Sequence, residues 1–326
     1  MSIDVLYISL WEKYIFVLIS ASSSALAFCT SSKYGGVAVI FEETYTLHNG
    51  VRIPKLGLGT WLIENDRVEQ AVRDAIRVGY RHFDSAQAYG SEAEAGRGIL
   101  ASGVPREDIF VTSKIAAEYK TYEMAEASIH ETLKEMGMSY IDMVLIHSPQ
   151  PWNGFRENDR YFAENREVWR ALEDAYDAGK VRAIGVSNFL EDDLANILAR
   201  CKVKPMVNQV LAHIGNTPFE MVRFCEEHGI LVEAYSPVAH GAILNHGSVM
   251  EIAGRYGVSV PQLCIRYVLQ LGMAALPKTA NPEHMRVNAQ LDFDIKDDDM
   301  ESLKRIKRLA SYGEHSFFPV FRTQLR

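Results

Sequence analysis

From Thr44 onward the chain repeats one unit: a short apolar run rich in β-branched residues, an amphipathic stretch of helical period, then another apolar run. The apolar runs fall at 56–58, 82–84, 109–113, 143–147, 183–187, 207–210, 231–235 and 274–277. The amphipathic stretches fall at 67–78, 92–100, 122–136, 162–178, 192–199, 218–227, 249–270 (with breaks expected at Gly257 and Pro261) and 282–288. A last helical stretch, 297–309, sits outside the repeat. Strand–helix alternation implies right-handed crossovers and a parallel sheet. Eight units with no second composition regime favour one α/β domain, a (β/α)8 TIM barrel, over an open doubly wound sheet. An open dinucleotide-binding sheet would also need G-x-G-x-x-G after its first strand. Gly57-Leu58-Gly59-Thr60-Trp61 is not that pattern, and no helix follows it directly.

The start of the repeat differs from the rest. Thr44–Leu47 and Val51–Ile53 flank His48-Asn49-Gly50, and Asn-Gly between two alternating runs is the strongest short hairpin signal. Gly179 is expected in the left-handed position after a helix, Asp297 as a helix cap, and Pro282 in the first turn of its own helix. Residues 1–43 read as an extension outside the fold, leaving 44–326 as the barrel. Tyr14 to Phe28 is apolar, and Ala25-Leu26-Ala27 has the look of a cleavage site. Asp4 and Glu12 make a poor positive leader, and Ser22-Ser23-Ser24 interrupts a stretch already short of the ~20 residues a bilayer needs. The extension is therefore taken as a signal-like segment or the product of an upstream start assignment.

Composition excludes several classes. A formal net charge of -8 with no basic stripe argues against a nucleic-acid partner. Cys29, Cys201, Cys225 and Cys264 show no metal-knuckle or dithiol spacing, so no metal is expected. They read as idle or buried thiols in a reducing, cytoplasmic compartment.

In such a barrel the active site lies at the C-terminal ends of the strands. The second repeat strand ends at Asp84, with Tyr89 at the mouth of the same loop. The third ends in Thr112-Ser113-Lys114 and the fourth in Ile146-His147-Ser148-Pro149. Alone, Asp84 could be a helix cap, Tyr89 a half-buried aromatic and His147 a satisfied core histidine. Lys114 is harder to set aside: a lysine closing an apolar strand needs a carboxylate, and Asp84 is on the neighbouring strand. Together the four suit carbonyl reduction, which needs a hydride on carbon and a proton on oxygen. Tyrosine titrates near ~10 in water, and a nearby ammonium lowers that value. Tyr89 is then the general acid, Lys114 its tuner, Asp84 the tuner's partner and His147 the group that orients the carbonyl oxygen. No side chain supplies a hydride, so a cofactor must.

These residues, with Gly79-Tyr80-Arg81-His82-Phe83-Asp84-Ser85-Ala86, His147-Ser148-Pro149, Gly185-Val186-Ser187-Asn188-Phe189, Asn208-Gln209-Val210, Ala234-Tyr235-Ser236-Pro237 and Pro277-Lys278-Thr279, resemble the aldo-keto reductase superfamily from about Thr44 to the end. The resemblance implies a (β/α)8 barrel whose N-terminal hairpin closes the bottom, binding NADPH in an extended pose. It carries the nicotinamide carboxamide contacts to Ser187, Asn188 and Gln209 and the stacking ring to Tyr235. It places Ser236 and Val238 at the pyrophosphate, Lys278 and Thr279 at the adenosine 2′-phosphate, and Thr60 and Asp84 among the cofactor contacts. A lysine beside the start of the Pro282 helix also suits a phosphate. Two positions depart from the family. His284 stands where an arginine usually grips adenine and the 2′-phosphate, and Val287 where a glutamate is common, while Asn288 is kept. Losing the arginine removes a permanent charge and a bidentate grip. NADPH use with weak discrimination against NADH is the expectation.

Trp61 and Trp152 are expected at the pocket mouth beside His147, with Phe83, Tyr119 and Phe317 or Phe318 as looser candidates. Ser148 after His147 and a short tail after Leu309 resemble the prokaryotic-type branch of 2,5-diketo-D-gluconate and glyoxal reductases. Small aldehydes, α-dicarbonyls and keto-sugars follow as substrates, with the protein a monomer off the membrane. A non-catalytic NADP-binding subunit of the same fold is the alternative, and it predicts cofactor binding without turnover. An unrelated barrel hydrolase would need several His and carboxylate ligands at strand ends, where only His82 and His147 are near.

Overall fold

A computed structural model describes residues 39–322. The apolar stretch 14–28 and Cys29 lie outside the described residues. Val39–Glu42, which the sequence reading placed in the extension, form a 3-10 turn on the body of the fold. Ile40 is buried there, and the Phe41 ring centroid lies 5.0 Å from that of Tyr80.

The hairpin forms as expected. β1 (Thr44–Thr46) and β2 (Arg52–Pro54) pair antiparallel. Then the repeat runs β3 (Leu58–Gly59), α1 (Asn65–Val78), β4 (His82–Asp84), α2 (Glu92–Leu100), β5 (Phe110–Ile115), α3 (Tyr122–Met136) and β6 (Ile141–Ile146). It continues with α4 (Phe162–Asp177), β7 (Val181–Ser187), α5 (Glu191–Leu198), β8 (Val207–Leu211), α6 (Phe219–Glu227) and β9 (Leu231–Tyr235). The last unit holds α7 (Gly247–Arg255), α8 (Val260–Gln270), β10 (Ala274–Leu276) and α9 (Pro282–Asn288), and α10 (Asp297–Lys304) and α11 (Pro319–Arg322) follow.

β3 to β10 form one parallel sheet in sequence order. It closes between its first and last strands: Gly57 N and Gly59 N donate to the carbonyls of Ala275 and Pro277 at 2.9 and 3.0 Å. β5 and β6 are buried along their whole length, as strands covered on both faces must be. The helices supply the outer cover through one apolar stripe each. In α1 that stripe is Val68, Ala71, Val72, Ala75 and Ile76, at helical spacing. Leu47 and Ile53 of the hairpin pack with Phe110, Met143, Ala183 and Val207, near the starts of β5 to β8. The hairpin therefore plugs the N-terminal end of the barrel, and the opposite rim is left for chemistry.

Three local expectations need correction. Gly257 does break the long helical stretch, but Pro261 lies inside the first turn of α8. There its missing N–H costs nothing, and Ser259 and Gln262 cap each other. Asp297 does not cap α10: Lys296 holds that position, and Asp297, Asp298 and Asp299 fill the first turn, where negative charge suits the helix dipole. The 297–309 helix ends at Lys304. Gly79 is required where α1 ends: its φ is 127°, and a Cβ would lie 2.6 Å from the Phe41 ring.

Candidate active site

The four strand-end residues meet at the C-terminal rim. Register brings Gly59 beside Asp84, Asp84 beside Thr112, and Lys114 beside Leu145. Lys114 is wholly buried, and its Nζ donates to both Asp84 oxygens at 2.8 and 2.7 Å and to the Ser85 carbonyl at 2.9 Å. Burial works against that ammonium, but Asp84 and Tyr89 outweigh it and hold Lys114 above its ordinary value. The ammonium also donates to the Tyr89 hydroxyl oxygen at 3.3 Å. The phenol proton is thereby left to point elsewhere.

Burial is the largest influence on Tyr89 and raises it; the Lys114 ammonium pulls it back. The expected net lowering by lysine is therefore corrected: desolvation of the phenolate wins. His147 packs edge-on to Tyr89, with ring centroids 5.6 Å apart. Burial, then the Lys114 charge, holds its imidazole well below the usual 6.5, so the ring is neutral and carries one N–H. Its Nδ1 is buried without a protein partner. The site thus presents a hydroxyl and a neutral imidazole side by side.

A cavity of about 730 Å³ opens over these groups. Tyr89, His147, Trp61 and Trp152 form one group on its wall and Lys278, Thr279, His284, Val287 and Asn288, in the loop after β10 and on α9, another, with Ser187, Asn188, Gln209, Tyr235, Ser236 and Val238 also lining it. That size suits an extended dinucleotide with room for a small second ligand. Asn188 adopts a φ of 61°; its Nδ2 donates to the His147 carbonyl and its Oδ1 accepts from the Tyr235 hydroxyl at 2.7 Å. The amides of Asn188, Gln209 and Asn288 and the ammonium of Lys278 share this wall.

Some expected residues sit elsewhere. Thr60 is buried off the wall, its hydroxyl given to the Asp84 carbonyl at 2.9 Å. Phe83 and Tyr119 pack with the hydrophobic core, and Phe317 is exposed; Phe318 is the one on the wall. Its ring lies 4.8 Å from Trp152 and 5.2 Å from Trp61 between centroids. Arg156 and Arg160 hold the Trp152 loop: Arg156 donates to the Asn188 carbonyl at 3.0 Å and Arg160 to Asp193 at 2.7 Å.

Several wall residues had escaped sequence reasoning. His240 follows Val238 by two, in the same loop, and that proximity could have found it. His315 and Phe321 come from a 3-10 turn and the four-residue α11 near the C-terminus, too short to carry a period to read. Lys120, buried and pushed down to about 7 by desolvation, braces the turn after His147 by donating to the Ser148 carbonyl at 2.9 Å. Among the described residues no cluster of three or more His, Cys, Asp or Glu side chains could hold a metal. No described helix is long and apolar enough to cross a membrane.

A closed eight-stranded barrel with Asp, Lys, Tyr and His at one rim defines a class of NAD(P)H-dependent oxidoreductases. The chain belongs to the aldo/keto reductase family, whose sequence profile matches residues 55–308. A glyoxal reductase of Bacillus subtilis is 38% identical over 274 residues, covering 83% of this chain and 95% of the relative. A solved aldo/keto reductase of Brucella melitensis superposes with a TM-score of 0.76 at 33% identity, covering 81% of this chain and 99% of that one. A Bombyx mori aldo-keto reductase solved in complex with NADP gives 0.76 at 29% identity, covering 86% and 99%.

Proposed function

We propose that this chain reduces small aldehydes and ketones, α-dicarbonyls and keto-sugars among them, to alcohols with NADPH, and that Tyr89 supplies the proton. The observation that carries this reading is the Lys114–Tyr89 contact at 3.3 Å. An ammonium that donates to the phenol oxygen leaves the phenol O–H aimed at a ligand and stabilises the phenolate once the proton has gone. Asp84 keeps that ammonium charged and in place. His147, neutral, donates an N–H to the carbonyl oxygen and fixes its direction. When bound, the cofactor supplies the hydride that adds to the carbonyl carbon.

Ser187, Asn188 and Gln209 would hold the nicotinamide carboxamide, and Tyr235 would stack on the ring. Ser236 and Val238 would border the pyrophosphate, and Lys278, Thr279, His284 and Asn288 the adenosine end. Trp61 and Trp152 would flank the substrate. The similarity to a glyoxal reductase of Bacillus subtilis supports α-dicarbonyls.

The test is NADPH consumption with methylglyoxal, glyceraldehyde and a diketo-sugar acid. Turnover is expected, and Tyr89→Phe is expected to lower kcat by roughly 10²–10⁴-fold, the usual weight of a positioned general acid. Unchanged rates in that variant would refute the proton-donor role.

A further inference from the structure

Below the four residues lies a second buried carboxyl that the reduction as described does not use. Glu233 sits in the middle of β9, with 0% of it exposed. A glutamate is almost never buried whole unless it is paired. Its Oε2 accepts from Gln209 Nε2 at 3.1 Å, and the same nitrogen donates to Asp84 Oδ1 at 2.8 Å. Its Oε1 has no hydrogen-bond partner and lies 3.7 Å from His82 Nε2.

An amide nitrogen carries two protons, so Gln209 gives one to each carboxyl. Turned over, its oxygen would face the Asp84 carboxylate, and both bonds donated by the nitrogen would be lost. The pair of carboxyls therefore decides which way the amide lies, and the oxygen is the atom left for the cavity that Gln209 lines. An oxygen there accepts from an N–H and repels another carbonyl.

We propose that Glu233 is a positioning residue of this site: through Gln209 it turns an amide oxygen toward the cavity, so that the wall accepts a hydrogen bond from the carboxamide N–H of the nicotinamide. This rests on the reductase reading above. The charged and titratable groups facing Glu233 are Asp84 and His82 on β4 and Lys114 on β5. Burial first, then Asp84, pushes its carboxyl up to about 8, so the acid is largely neutral at pH 7. A neutral amide of the same shape can then take its place, and an apolar side chain cannot.

Binding of NADP+ to the full chain, followed by quenching of tryptophan fluorescence, tests this, with thermal melts to check folding. Glu233→Met is expected to raise the Kd about tenfold, because Gln209 loses one of the two bonds that hold its amide and is left hinged on Asp84 alone. Glu233→Gln keeps an acceptor for Gln209 Nε2 and is expected to stay within about twofold of the parent. Met and parent binding alike would overturn the proposal, and so would equal weakening in both variants, which would mark a packing role. If the Met variant does not fold, the Gln variant decides, and a loss beyond about threefold overturns the proposal. Failure of the parent itself to bind NADP+ would instead sink the reductase reading, and this one with it.

Discussion

The two ends of the cavity are built on different terms. At the reaction end Asp84, Lys114, His147, Ser187 and Gln209 are all buried, and Asp84, Lys114 and Gln209 are tied into one hydrogen-bonded set. Where the adenosine is proposed to lie, Lys278 and His284 are exposed, and only Asn288 is buried. Buried polar groups specify one another, because each left unpaired costs its full desolvation. Exposed groups act singly against water and salt, and a change in one leaves the others as they were. A departure such as His284 is therefore tolerable at the open end, where a change at Lys114 would not be.

Lys114→Met is the sharpest way to break that contrast. It leaves Asp84 buried without its cation, and breaking such a pair costs about 3–5 kcal/mol. Thr279→Ala at the open end should stay within about 0.5 kcal/mol. Chemical denaturation of the two variants beside the parent measures both. A Lys114→Met protein as stable as Thr279→Ala would mean that the reaction end is not the coupled unit described.

The next effect reads the same burial through pH and is smaller group by group. His82 and His213 are lowered from 6.5 to about 4 by desolvation, and His147 lies well below 6.5 for the same reason. A histidine depressed in the fold binds fewer protons than in the unfolded chain, so its contribution is lost as pH falls from 6.5 toward 4. For His82 and His213 the upper bound is on the order of 3 kcal/mol each. Glu233 runs the other way: raised to about 8, its contribution is lost as pH rises from 4.5 to 8. With His240, likewise lowered to about 4, the histidines outweigh one carboxyl below 6.5, so stability should rise from pH 4.5 to neutrality; above it the loss at Glu233 is opposed by Lys120, whose ammonium, lowered to about 7, adds stability as pH rises. Denaturation midpoints from pH 4.5 to 9 show this. A profile flat from 6.5 down to 5 would mean that water reaches those rings.

Much of this was legible in the sequence, for identifiable reasons. Strand–helix repetition has a period, so the barrel and its rim could be read from 56–58 to 282–288. Asp84, Lys114 and His147 end apolar runs, where a polar residue is conspicuous. Glu233 was missed because it sits inside the apolar run 231–235, although a carboxylate between Val232 and Ala234 was itself a sign of a buried partner. Tyr89's direction of shift was misread because burial, unlike charge, has no letter in the sequence. Of the C-terminal aromatics, Phe318 was a loose pocket candidate and lies on the wall, while Phe321 was not named. Phe318 follows a 3-10 turn and Phe321 lies on the four-residue α11; both reach Trp61 from elements too short for a period to announce a contact.

The smallest expected effect belongs to the open end and concerns the 2′-phosphate. With His284 in place of a guanidinium, Lys278 would be the cation facing that phosphate, and its side chain is exposed. Exposed charge pairs of this kind are worth about 0–1 kcal/mol each. The ratio of kcat/KM for NADPH over NADH should therefore stay below ~10³, a difference of about 4 kcal/mol. His284→Arg should raise it about tenfold by lowering the NADPH KM, because a bidentate fork grips phosphate where one imidazole cannot. Its kcat should not move, since the reaction end is held by a separate set of bonds. A parent ratio above ~10³ would show that the open end discriminates by contacts other than this charge, and a change in kcat would show that the two ends are coupled after all.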